Sequence, residues 1–254
     1  MAEQKIASII TGGGRGIGRA VALRLERDTN IIVVGRTEAD LASVCREISA
    51  GGGQAAYLVG DVSDQATAER AVALAEEKKW QIKNLICNAG IGKSGPTESF
   101  DPEVWRQIMA VNINGAFYFV RACLPAMLGQ GGGNICLMSS IAGLKGFARS
   151  AAYDTGKHAL VGFARSLAVE HGHRGIVAVP ICPGFVEGEM TDRTIRGLMS
   201  RRGITESEAR ERVARQNPQR RILPAAEVAE AVAFVCAGKV PALSGHPLVL
   251  SGGE

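Results

Sequence analysis

The sequence predicts one α/β domain of the doubly wound kind, a parallel β-sheet flanked by helices on both faces. Short runs rich in Ile, Val and Leu alternate with segments of helical period along the whole chain. The runs are apolar at nearly every position, so both faces of each strand have to be covered, as in a parallel sheet between two helix layers. Glycine is abundant, 32 of 254 residues, and aromatic residues make up 5%. That balance favours close-packed turns near a ligand over an aromatic-rich β-sandwich.

Lys5–Thr11 reads as the first buried strand, and Gly18–Asp28 as a helix with Ala20, Val21, Leu23 and Leu25 as its apolar residues. Asn30–Gly35 is the second strand and Leu41–Ile48 the next helix. Ala56–Val59, Asn84–Asn88, Gly133–Ser139, Ile176–Ile181 and Leu248–Leu250 are the remaining strands, with helical patterns filling most gaps. Neither a low-complexity linker nor a fixed-period repeat divides the chain, so a single domain over residues 1–254 accounts for it. Within it, residues 187–223 lose the strand pattern and become rich in arginine, with Thr205 and Glu208 spaced as a helix capping box.

The formal charge of +4 is too small to argue for a nucleic-acid surface, and no aromatic stacking platform accompanies the arginines. No uninterrupted apolar run of membrane-spanning length is present, and the first residues lack the basic start and apolar stretch of a signal peptide. The expectation is a cytoplasmic protein with no membrane partner. The six cysteines are scattered without a C-x-x-C pair, and no ligand set completes His171 and His173. Reduced thiols and no metal are therefore expected. Gly92-Lys93-Ser94 resembles the end of a phosphate-binding Walker loop, but that motif needs a glycine where Cys87 stands.

Two constellations carry chemistry. Thr11-Gly-Gly-Gly-Arg-Gly-Ile-Gly18 follows the first strand and opens the first helix. Gly12, Gly16 and Gly18 permit a tight turn, and with Arg15 and Ile17 they bring backbone N–H groups and the helix dipole to a dinucleotide pyrophosphate. An enzyme using NAD usually carries an acid at the end of the second strand for the ribose hydroxyls. Here Gly35 and Arg36 stand there, and neither Asp28 nor Glu38 is well placed. Arg36 with Arg15 fits a 2′-phosphate and hence NADP(H); the alternative is that both arginines are simply solvated. The second constellation is Tyr153 and Lys157, four apart on a helical segment and so on one face. A lysine ammonium favours the phenolate of a neighbouring tyrosine, which suits proton exchange with a forming alkoxide. Taken alone, the pair reads equally well as a core aromatic beside a solvated lysine.

The pair does not stand alone. The glycine loop, Asp61-Val62, Asn88-Ala89-Gly90, Asn112, Ser139-Ser140, Tyr153-x-x-x-Lys157 and Pro183-Gly184 follow one another in an order that resembles the short-chain dehydrogenases/reductases over essentially the whole chain. The resemblance implies a Rossmann-type fold and a hydride exchange between NADP(H) and a ketone or secondary alcohol. It implies that Asp61 and Val62 meet the adenine, and that Asn88, Ala89 and Gly90 line the adenosine ribose. Tyr153 and Lys157 hold the nicotinamide ribose side, with Pro183, Gly184 and Val186 at the nicotinamide. Ser140 donates to the substrate oxygen, Tyr153 exchanges the proton, and Asn112 anchors a water linking Lys157 to solvent. The segment 187–223 becomes a substrate lid. Three positions depart from the family pattern: Cys87 and Ala178 where asparagine is usual, and Gly188 where a threonine often contacts the cofactor.

Asn217–Pro224 and Ser251-Gly-Gly look most like 3-oxoacyl-thioester reductases, which implies coenzyme A or acyl carrier protein as partners. Similar endings occur in enzymes for sugars, polyols and steroids, and a non-catalytic dinucleotide sensor is the competing class. The family also implies a homotetramer through the helices containing Gly115–Met127 and Ala152–Val169, with Ala152, Gly156, Ala159 and Phe163 as a small apolar face.

Overall fold

The computed structural model describes residues 5–253. Seven parallel strands form one sheet in the order β3-β2-β1-β4-β5-β6-β7: β1 Ile6–Thr11, β2 Asn30–Gly35, β3 Ala55–Val59, β4 Gln81–Cys87, β5 Gly133–Met138, β6 Ile176–Pro183 and β7 Leu248–Leu250. The helices are α1 Gly16–Leu25, α2 Glu38–Ala50, α3 Gln65–Glu77, α4 Pro102–Met109, α5 Gly115–Gly129, α6 Ala151–His171, α7 Glu189–Arg202, α8 Glu206–Ala214 and α9 Ala225–Cys236. The chain winds outward from β1 to β3, returns to pair β4 on the other side of β1, and continues to β7. The crevice opposite the C-terminal ends of β1 and β4 is thus the switch point at which open α/β sheets bind ligands.

The strands are apolar throughout because helices cover both faces. α1, α2 and α9 pack Val21, Leu41 and Val232 onto Ile10, Val33 and Val179. On the opposite face α3, α5 and α6 pack Ala71, Phe119 and Ala164 onto Ile9, Leu85 and Ile135. The helical run Pro102–Gly129, continuous through a π-helical turn at Ala110–Asn114, has the length and hydropathy of a membrane span. It nevertheless supplies Phe119, Val120, Cys123 and Met127 to this core.

Element ends depart from the sequence expectation by a few residues. α1 starts at Gly16, two residues before the expected Gly18. Buried polar side chains cross the sheet near the strand starts. Thr29 and Ser8 hydroxyls meet at 2.7 Å, the Asn84 amide donates to Ser8 Oγ at 3.0 Å, and the Asn134 amide donates to Asn84 Oδ1 at 2.9 Å.

Residues 187–223 leave the sheet and return to the point of departure. The Glu187 N–H donates to the Leu223 carbonyl and the Leu223 N–H to the Phe185 carbonyl, both at 2.8 Å. In between, α7 and α8 bury Ile195, Ala209 and Val213 against each other as a small core of their own. The capping box is present: Thr205 Oγ1 accepts from the Glu208 N–H, and Glu208 accepts from the Thr205 N–H.

Candidate active site

The glycine loop at the end of β1 is shaped by contacts that no side chain could share. Gly12 has φ +64, and a Cβ there would fall 3.0 Å from Ala89 Cα and from the Asn88 amide. A Cβ on Gly18 would overlap the Gly12 carbonyl, whereas the space beside Gly16 is open. Arg15 precedes α1 in extended conformation and gives no side-chain cap. The first-turn N–H groups of Gly16, Ile17 and Gly18 therefore face an open cradle without a capping acceptor, which fits a pyrophosphate. Asn88 closes the back of the cradle, donating from its side chain to the Thr11 carbonyl at 3.0 Å and the Gly12 carbonyl at 3.2 Å. Thr11, which sequence reasoning did not single out, is the hub: its Oγ1 accepts the N–H groups of both Asn88 and Ala89 at 3.0 Å. Cys87 is buried with its thiol toward the Ala116 carbonyl, so this departure from the family pattern is a packing contact.

At the end of β2, Arg36 is exposed and makes no hydrogen bond or ion pair to a described residue, while Glu38 accepts the Tyr57 hydroxyl at 3.0 Å. Arg15 is not the free cation the sequence led us to expect. Its Nε pairs with Asp40 at 2.5 Å, and Nη1 lies 3.9 Å from Glu189. Asp40 sits on α2 directly against Gly14, an approach invisible in sequence spacing. Asp61 Oδ1 accepts the Ser63 hydroxyl at 2.7 Å and N–H at 2.9 Å. Those bonds hold its carboxyl below the ordinary value against the effect of burial, with Arg36 adding to them. Val62 is buried against Gly115 at the start of α5.

Beyond β5 the second constellation closes. Lys157 is buried, donates from Nζ to the Met138 carbonyl at 2.6 Å, and stands 5.4 Å from the Tyr153 ring centroid. Burial lowers its pKa to about 8. Tyr153 is partly exposed as a residue, but its hydroxyl end is enclosed, and burial raises the phenol to about 12 against a hydrogen bond with Ser140 that lowers it. The shift of the phenol is thus set by desolvation, with Asp154 adding to it and Ser140 opposing it. Ser140 Oγ donates to the Pro183 carbonyl at 3.3 Å and accepts the Ala142 N–H at 3.2 Å. Ser139 is structural, donating to the Lys157 carbonyl at 2.8 Å.

Asn112 occupies the π-helical turn, a feature common at functional sites. Its side chain grips the Ile91 backbone, Oδ1 accepting the N–H at 2.8 Å and Nδ2 donating to the carbonyl at 3.0 Å. Gly90 admits this arrangement, since a Cβ there would sit 3.4 Å from both Asn112 Oδ1 and Lys157 Nζ. On the β6 side the Gly184 N–H donates to Leu250 at 2.9 Å. The Val186 carbonyl accepts the Thr191 hydroxyl at 2.5 Å, which leaves the Val186 N–H as its available group. Gly188, with φ +139, adopts a conformation that a threonine would strain to reach. The buried Thr191 was not anticipated from sequence.

The site therefore sets a phenol, a hydroxyl and a buried ammonium beside an anion cradle, at the C-terminal edge of the sheet. The sequence pattern of the short chain dehydrogenase family matches residues 6–197. A putative ketoacyl reductase of the granaticin polyketide synthase from Streptomyces violaceoruber is 29% identical, the alignment spanning 98% of this chain and 93% of that one. The 2-(R)-hydroxypropyl-CoM dehydrogenase of Xanthobacter autotrophicus is 32% identical over 96% of each chain. The crystal structure of a single-residue variant of actinorhodin polyketide ketoreductase with NADPH superimposes with a TM-score of 0.94 at 30% identity, covering 100% of this chain and 98% of that one. The chain belongs to the short-chain dehydrogenase family, oxidoreductases that exchange hydride between a nicotinamide dinucleotide and a carbonyl or alcohol.

Proposed function

We propose that the protein is an NADP(H)-dependent reductase of ketones to secondary alcohols, acting reversibly, with Tyr153 as proton donor. The observation that carries this is the meeting of Tyr153, Ser140 and Lys157 at the crevice beside the glycine cradle. The bound dinucleotide supplies the hydride. Gly12, Arg15, Gly16, Ile17 and Gly18 hold its pyrophosphate, Asp61 and Val62 its adenine, and Asn88, Ala89 and Gly90 its adenosine ribose. Lys157 holds the nicotinamide ribose, and Pro183, Gly184 and the Val186 N–H orient the nicotinamide. When a carbonyl enters, the Ser140 hydroxyl turns from the Pro183 carbonyl to the substrate oxygen and stabilises the charge that grows there. Tyr153 releases its proton to the same oxygen, and a phenol held neutral by burial is charged with that proton beforehand. The side chain of Asn112 is committed to Ile91, so a water that replenishes the proton would have to be held by its main chain in the π turn.

Arg36 decides the cofactor. A 2′-phosphate at its guanidinium gains roughly 1.5–3 kcal/mol per charge-assisted contact, whereas Arg15 is already shared with Asp40. Arg36→Ala should therefore cut the ratio of kcat/KM for NADPH over NADH by about tenfold. A wild type that uses NADH as well as NADPH refutes the assignment.

We propose 3-oxoacyl thioesters of coenzyme A or acyl carrier protein as substrates, consistent with the ketoacyl reductase among the relatives. Residues 187–223 serve as the lid, their pinned ends making α7 and α8 one moving unit. The protein works in the cytoplasm as a homotetramer. Ala152 and Gly156 are buried within the chain, Gly156 against Asn112, so the apolar face expected from sequence is only partly free. Phe117 and Val169, 46% and 87% exposed on α5 and α6, take its place. Light scattering at micromolar concentration should give four times the chain mass; a monomer mass overturns the assembly.

A further inference from the structure

The crevice mouth carries two cations that the reaction above does not use. Lys93 follows Gly92, where a Cβ would fall 3.0 Å from the Tyr153 ring, and Arg149 lies four residues before Tyr153, just outside the first turn of α6. The two loops are joined at this place, where the Gly95 N–H donates to the Arg149 carbonyl at 2.9 Å. Arg149 has φ +65, one of three non-glycine residues at positive φ among the described residues. L side chains adopt that conformation only where the surroundings impose it, and such positions gather at functional sites. The same loop is braced from behind by the buried Asp154, whose carboxylate accepts the Phe147 N–H at 2.7 Å.

The backbone is thus held to display an exposed guanidinium beside the catalytic helix, with an exposed ammonium on the neighbouring loop. Neither side chain has a hydrogen bond or ion pair to a described residue. Several arginines elsewhere are matched: Arg15 with Asp40, Arg193 with Glu189, Arg215 with Glu211 and Arg221 with Glu227. Glu98 is the one carboxylate between Gly90 and Phe100, and it sits in the outer turn Thr97–Ser99.

We infer that Arg149 and Lys93 form an anion-recognising rim, and that the substrate of this site carries a negatively charged group besides its reacting carbonyl or carbinol. The inference rests on the ketone-reductase reading proposed above and adds to it the residues that meet an anionic group of the substrate. A guanidinium fork without a protein partner matches a carboxylate or phosphate, and two unmatched cations at a crevice mouth concentrate anions there. Two sources share this chemistry, the carboxylate of a small oxo acid and a phosphate of a coenzyme A thioester.

The test compares kcat/KM with NADPH within two pairs. One is levulinate against its methyl ester; the other is acetoacetyl-coenzyme A against the neutral N-acetylcysteamine thioester of the same acyl group. At low ionic strength the anionic member of at least one pair should exceed its neutral counterpart by about tenfold, a preference that shrinks as salt is added. The first pair identifies a carboxylate, the second a phosphate. Arg149→Gln combined with Lys93→Gln should bring the ratio close to unity. Arg174→Gln, which removes a charge at the opposite end of the sheet, should leave it as in wild type. Equal values within both pairs, or a ratio untouched by the double variant, overturn the rim while the oxidoreductase reading stands. Absence of turnover with all four compounds, using NADPH or NADH, defeats the 3-oxoacyl thioester proposal and the rim with it, while family membership stands.

Discussion

Tyr153→Phe should lower kcat by about 10²- to 10⁴-fold, the range lost when a positioned proton donor is removed, while the dissociation constant for NADPH changes little. The substitution deletes one oxygen. It leaves the ring packed against Gly92 and beneath the Lys157 ammonium, so the crevice keeps its shape. The hydrogen bond lost inside the protein is the one to Ser140, and Ser140 Oγ retains Pro183 and Ala142 as partners. Stopped-flow single turnovers together with fluorescence titration of NADPH separate the two quantities. Wild-type turnover in the variant would falsify the proton-donor role.

Lys157→Met should abolish measurable turnover and yet make the protein more stable at neutral pH. Methionine nearly matches the volume of the lysine stem but brings no charge into the core. Folding lowers the Lys157 pKa from 10.5 to about 8 through burial. Below the lower value the folded chain carries a desolvated ammonium. Between the two values the unfolded chain still holds a proton that the folded chain has released, so the penalty declines as pH rises through that window. Every tenfold gain in the acidity of the ammonium corresponds to about 1.4 kcal/mol, and the bond to the Met138 carbonyl returns about 1 kcal/mol. A net gain on the order of 1–3 kcal/mol is expected at about pH 7, shrinking toward about pH 10. Urea denaturation of wild type and variant at both pH values measures it; a variant less stable than wild type at neutral pH contradicts the buried-charge account.

The strands were legible because burial on both faces writes itself as unbroken apolar runs. Asn30–Gly35 and Leu248–Leu250 match the sequence expectation residue for residue. The meeting of Tyr153, Lys157 and Ser140 was legible because Tyr153 and Lys157 share one helix and Ser140 lies just past a strand end. Other features depend on approaches between distant segments. Asp40 reaches Arg15 only because α2 packs against Gly14, Thr11 receives two N–H groups from the end of β4, and Thr191 reaches back to Val186. The upward shift of the Tyr153 phenol was not legible for a related reason. Spacing reveals a neighbouring charge, but the extent of desolvation is a property of everything packed around the hydroxyl.

A strand that is apolar on both sides has little to fix its height, since a slip of one residue exchanges one apolar side chain for another. Ser8, Asn84 and Asn134 are register partners across β1, β4 and β5, and their side chains are bonded in sequence. A slip in either pair would strand buried amides, each costing about 1–3 kcal/mol. The same three strands end in Thr11, Asn88 and the turn that carries Ser140. The polar rung near the strand starts acts as a ruler: by setting where β1, β4 and β5 begin relative to one another, it sets the common level at which the glycine loop, Asn88 and Ser140 emerge at the other end.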